Sequence, residues 1–145
     1  MKKFGVLIVA GMLFAAAPSF AQTVGTCPRG GGSTQPQPVR ILFALNSSVV
    51  PPAEKPMIAQ AVKTAKDRQV SAICLIGHTD KLGDKAYNEK LARARAQAVA
   101  AEMIRDGYPG KNITIVADPE AFGNMSLGNE NASEIDRKVT IFYAR

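Results

Sequence analysis

Asp80, Asn88 and Arg95 are the residues through which this 145-residue sequence can do chemistry. Asp80 follows His78 and Thr79 in a short polar turn that closes at Gly83. Asn88 and Arg95 are seven residues apart, so on a helix they stand nearly in line, two turns from one another. A carboxylate ahead of an amide and a guanidinium makes a clamp for a zwitterion. The anion takes an ammonium, and the planar cation takes a carboxylate in a two-pronged fork. Without a ligand, such an exposed Asp and Arg form at most an ion pair worth about 0–1 kcal/mol.

Catalysis is the weaker reading. His78 is the only histidine, and a lone turn histidine usually serves as a structural hydrogen bonder. The two cysteines, Cys27 and Cys74, are 47 residues apart, which is not metal-ligand spacing. Asp80 and Asp84 lie four apart with nothing to bury one of them as a general acid. No enzyme activity, metal or cofactor is expected.

The elements that must position the clamp follow from patterning. Asp84 is a good N-cap for a helix over residues 84–106, with Gly107 as its stop and Pro109 just beyond. Tyr87, Leu91, Ala94, Ala98 and Ala101 recur at helical spacing, which predicts the apolar face. Neither Asp80 nor Arg95 counts as core on this pattern. Upstream, the apolar run 41–45 reads as a strand ending in the Asn46-Ser47-Ser48 turn. Pro51 and Pro52 open an amphipathic helix that reaches about Arg68, with Met57, Ile58, Ala61, Val62 and Ala65 on one side. Residues 70–76 form a second strand, apolar throughout, as suits a strand covered on both faces. Residues 113–117 form a third, 118–134 a long loop, and 137–143 a closing strand. The fold class expected is α+β: β-α-β-α-β-β, a mixed four-stranded sheet with two main helices packed on one face.

At these same residues a family resemblance emerges. Gly77-His78-Thr79-Asp80, Gly83, Tyr87-Asn88, Leu91, Arg95-Ala96 and Val99 together resemble the core motif of the OmpA-like domain. Outer membrane protein A, the flagellar stator protein MotB and peptidoglycan-associated lipoprotein share that module. The resemblance covers roughly residues 41–143. It implies non-catalytic binding of peptidoglycan, chiefly through the diaminopimelate of its stem peptide. Asp80 and Arg95 inherit the ligand roles, since they are fifteen residues apart as in the family. Thr79 and Asn88 belong to the same motif, and Asn46 to the Phe43…Asn46 pattern of the family's first strand. Asp136-Arg137-Lys138-Val139 resembles the closing motif, which makes Arg137 a further binding candidate. Two positions depart from the pattern: Ala44, where Asp is frequent, and Ala92, where Ser is frequent, which removes a hydroxyl near the site.

The N-terminus reads as a secretory signal over residues 1–21: Lys2 and Lys3, an apolar run shorter than a membrane span, and Ser19-Phe20-Ala21. Cleavage there leaves 124 residues and lowers the net charge from +6 to +4. Thr26 is too bulky to precede a lipidated Cys27, so release into the periplasm, peripheral to the outer membrane at most, is the expectation. Residues 22–38, rich in Gly, Pro and Gln, read as a flexible tether spanning roughly 20–25 Å. Residues 39–145 form one domain with one core. An oxidising compartment invites a Cys27–Cys74 disulfide, although Cys74 on an apolar strand reads equally as a packed thiol. No basic run with interleaved aromatics points to nucleic acid. The expected partner is diaminopimelate-type peptidoglycan, with outer-membrane or secretion-machine proteins as further partners. The alternative is an interaction component of an envelope-spanning machine that keeps the fold without using the pocket.

Overall fold

In the computed structural model, residue 27 and residues 35–79, 84–117 and 136–144 are described. Strand β1 covers Val39–Leu42, helix α1 Lys55–Asp67, strand β2 Ala72–Gly77, helix α2 Lys85–Arg105, strand β3 Ile113–Ala117 and strand β4 Lys138–Ala144. The order is the expected β-α-β-α-β-β. In space the sheet runs β1-β4-β2-β3. β4 pairs antiparallel with both β1 and β2, and β2 pairs parallel with β3, so the sheet is mixed.

Local signals account for the helix ends. Pro51 precedes a short 3-10 turn at Pro52–Glu54 that leads into α1. Gln69, in the left-handed region at φ 52°, then allows the Val70 amide to donate back to Ala65 O at 2.8 Å. Asp84 caps α2, its carboxylate accepting from the Tyr87 amide at 2.8 Å. Gly107, at φ 88°, stops α2, and Lys66 reaches from α1 to donate to Asp106 O at 3.1 Å.

Both helices pack on one face of the sheet. Ile41, Ile73, Leu75, Ile113, Ile115, Val139, Ile141 and Tyr143 point toward Ile58, Ala61, Val62 and Ala65 of α1 and toward Ala96, Val99, Ala100 and Met103 of α2. Each fully buried large aliphatic here contributes about 1.5–3 kcal/mol. Burial also pushes the hydroxyl pKa of Tyr108 and Tyr143 above the ordinary 10.0, so both rings stay neutral.

Two expectations from patterning are corrected. β1 occupies Val39–Leu42 rather than 41–45, because its ladder is matched to β4 from Ile141 back to Lys138. Past Phe43 the backbone turns away, and the Ala44 carbonyl is taken up elsewhere. The buried side of α2 is also rotated from the predicted stripe: Asn88, Ala92, Arg95, Ala96, Val99, Ala100 and Met103 face inward. Tyr87 is half exposed and Ala101 is exposed. Alanine lies nearly all round this helix, so periodicity alone does not select a face. Val99 and Met103, the bulkiest apolar side chains on the inward side, meet the sheet instead.

Cys27 and Cys74 are joined as a disulfide, Cα atoms 5.7 Å apart. Cys74 alternates with Ile73 and Leu75, so it lies on the sheet face opposite the helices. The bridge therefore ties the N-terminal stretch to the helix-free face. Replacing Cys27 with serine is expected to lower stability by about 2–4 kcal/mol, since the bridge closes a long loop in the unfolded chain. Urea unfolding of wild type and variant, each with and without dithiothreitol, checks this: reductant should erase the difference.

Candidate functional site

β1, β2 and β3 all run one way and β4 the other, so their C-terminal ends meet the start of β4 and the N-terminus of α2 at one edge. Close contact between α2 and β2 is possible there because position 77 is glycine. A Cβ on Gly77 would lie 2.0 Å from the Ala92 carbonyl oxygen. Ala92 is completely buried, so its departure from the family pattern is a change in helix–strand packing rather than in an exposed surface.

At this edge the structure places Arg95 not on the surface but in the core. It is 1% exposed and the largest of the fully buried side chains. A guanidinium cannot be buried cheaply, and this one is met by backbone carbonyls. Nε donates to Ser47 O at 2.8 Å, Nη1 to His78 O at 3.1 Å and Nη2 to Ala44 O at 3.1 Å. The plane lies over the Phe43 ring, 5.4 Å from its centroid, and that ring is itself buried. Sequence reasoning missed these holders. The pattern around Phe43 showed a turn, but a backbone carbonyl has no side-chain signature. Ala44 illustrates the point: its side chain is exposed, and its carbonyl is the group that Arg95 uses.

The other candidates group around this centre in part. Thr79, just beyond β2, is 4% exposed, and its Oγ1 finds no hydrogen-bond partner among the described residues. Asn88 is 6% exposed on the inward side of α2. Asn46 is exposed in the β1–α1 turn, in the left-handed region at φ 52°. Arg137, just before β4, donates through Nε to Phe43 O at 3.4 Å and accepts from the Phe43 amide at 2.8 Å. Asp80, the predicted anion of the clamp, lies outside the described residues, as does the predicted loop 118–134. His78 is 4% exposed and gives its backbone to the edge, its amide to Lys138 O and its carbonyl to Arg95. Among the described residues no three His, Cys, Asp or Glu side chains cluster to hold a metal ion.

The fold and site thus define an α+β module with a buried cation at its strand ends. The sequence profile of the OmpA family matches residues 42–140, more than half of the chain, and the chain belongs to that family. Over 76 residues it is 32% identical to the outer-membrane lipoprotein YfiB of Pseudomonas aeruginosa, covering 52% of this chain and 45% of that one. The match thus spans less than half of that relative's length. The peptidoglycan-associated lipoprotein from Burkholderia pseudomallei superposes with a TM-score of 0.63 at 24% identity, over 72% of this chain and 88% of that one. The cell wall anchor of the T6SS from Pseudomonas aeruginosa gives a TM-score of 0.57 at 24% identity, over 74% of this chain and 81% of that one. At these identities the likeness to solved structures is one of fold. No helix among the described residues is long and apolar enough to cross a membrane.

Proposed function

We propose that this protein binds peptidoglycan without catalysis, through the diaminopimelate of the stem peptide, and so anchors itself or an envelope assembly to the cell wall. The observation that carries this reading is the convergence at one edge of Arg95, Thr79 and Arg137, each from a different segment, with Asn88 buried on the inward side of α2. In this reading Asp80 takes the ligand's ammonium and Arg95 its carboxylate, with Thr79, Asn88, Asn46 and Arg137 around them. The Thr79 hydroxyl supports it, because a buried hydroxyl without a partner costs about 1–3 kcal/mol that a ligand would recover. Two solved relatives are described as peptidoglycan-associated and as a cell wall anchor, which agrees in kind.

Two charge-assisted contacts of about 1.5–3 kcal/mol each are offset by association entropy. A dissociation constant on the order of 10⁻³ to 10⁻⁵ M for a single stem peptide follows. Retention on the intact wall is strengthened by its repeated sites. Purified protein should co-sediment with cell-wall sacculi, Asp80→Ala should abolish this, and Asn88→Ala should weaken it less. Wild-type levels of retention in Asp80→Ala would reject the clamp and favour the second reading, an interaction component of an envelope machine that keeps the fold. One observation does favour that second reading: each nitrogen of Arg95 already donates to the protein's own backbone.

The same reading places the protein in the periplasm, cleaved after Ala21. The disulfide supports release rather than lipidation, because it uses the Cys27 sulfur that a thioether-linked lipid would require. N-terminal sequencing of the exported protein is expected to begin at Gln22; a lipid-modified Cys27 would reject it.

A further inference from the structure

We propose that Arg95 is a positioning residue, whose guanidinium pins the turn at residues 44–47 to the end of β2 and thereby shapes the binding edge. Its link to affinity rests on the wall-binding reading above; its link to the turn does not.

One planar group joins three segments here. Nε and Nη2 hold Ser47 O and Ala44 O of the β1–α1 connection, and Nη1 holds His78 O at the end of β2. All three distances, from 2.8 to 3.1 Å, are those of well-formed bonds. The connection has little else to order it among the described residues. Phe43 at its start pairs with Arg137, and beyond it the other bonds are internal: the Ser47 amide to Ala44 O at 3.2 Å, and the Val49 amide to Ser47 Oγ at 3.1 Å. Burial does not hold it either, since Leu45 is 57% and Val49 74% exposed. Its two ends are fixed in the core by Phe43 and Val50, and Arg95 grips the stretch between them.

The geometry demands arginine. Three acceptors surround the fork, one on each nitrogen, and its Cζ lies over the Phe43 ring, 5.4 Å from the centroid. A lysine ammonium is a point donor on a flexible stem and cannot reach three carbonyls spread around a planar fork. A ligand carboxylate that approaches Arg95 meets a guanidinium already shared with the turn. Loss of affinity in an Arg95 variant then comes through the turn's geometry as well as through a missing contact.

The test reads the turn and the wall separately. Amide hydrogen exchange at Ser47 and Val49, and retention on sacculi, are measured for wild type, Arg95→Ala and Arg95→Lys. In both variants the two amides are expected to exchange at least about tenfold faster, while amides of β2 and β4 stay protected. Millimolar guanidinium chloride, too dilute to denature, should enter the cavity left in Arg95→Ala and slow that exchange again. Restored retention on sacculi should accompany it. Unchanged exchange at Ser47 and Val49, or no slowing by guanidinium, overturns the positioning role and leaves Arg95 at most a direct ligand contact. If Arg95→Ala does not fold, exchange in Arg95→Lys decides: faster supports the role and unchanged overturns it. Faster exchange together with no wild-type retention on sacculi rejects the wall-binding reading and keeps the positioning role.

Discussion

Gly77→Ala is expected to lower the domain's stability by about 4 kcal/mol or more and to shift its thermal unfolding sharply downward. The added methyl would sit 2.0 Å from the Ala92 carbonyl oxygen and 2.7 Å from its carbonyl carbon, both backbone atoms of α2. Neither side can yield. Gly77 is paired on both flanks, with Val139 of β4 and Ala117 of β3, so β2 cannot retreat locally. α2 cannot lift away without drawing Ala96, Val99 and Met103 out of the core. Overpacking against side chains costs about 1–3 kcal/mol, and a backbone collision cannot be relieved by a rotamer change. A loss of about 4 kcal/mol or more is large against the roughly 5–15 kcal/mol that holds such a domain folded. Thermal denaturation followed by circular dichroism checks it. A sharper check is that Ala92→Gly in the same chain should give no rescue, because the obstacle is the carbonyl and not the methyl of residue 92.

Arg95→Ala is expected to destabilise the domain by about 2–5 kcal/mol, as it takes a donor from the buried His78 carbonyl and from the part-buried Ser47 and Ala44 carbonyls, of which Ala44 O keeps the Ser47 amide, at roughly 1–3 kcal/mol for each one left unsatisfied. The sequence pattern predicts the opposite, an Arg95 variant that loses ligand and keeps its stability, because arginine reads as surface. The buried position overturns that expectation. Asp80→Ala is expected to differ, abolishing retention on sacculi with stability nearly unchanged. Urea unfolding of both variants separates the cases. An Arg95→Ala curve coincident with wild type would show that water satisfies the three carbonyls and that the bonds carry little net energy. Arg95→Lys should recover only part of the loss, because it keeps a charge that the carbonyls can reach from one direction at a time.

How legible all this was in the sequence depended on which atoms carried the signal. The Asp84 cap, the Gly107 stop and the two prolines ahead of α1 are local devices, and each acts in the structure where it stands in the chain. The inward side of α2 was harder, because a helix made largely of alanine offers no unique apolar stripe. The end of β1 was set by partnership rather than propensity: Phe43 still pairs with Arg137, and the next carbonyl turns to Arg95. The departure at Ala92 looked like a lost hydroxyl at a site, and the structure makes it a packing position against Gly77.

By itself, then, the sequence determined the α+β class, the element order and the family, because periodicity, capping residues and motif spacing are properties of neighbouring residues. It also singled out Arg95, although as a surface residue and not as the buried cation of the structure. Only the tertiary structure decided the strand order β1-β4-β2-β3, the seating of Cys27 on Cys74, and the carbonyl cradle around Arg95. The strand order rests on pairings as distant as Val39 with Ile141, and the cradle on carbonyls up to 51 residues from Arg95 in the chain. Every residue has the same backbone carbonyl, so no amino-acid type announces which three will meet a buried cation.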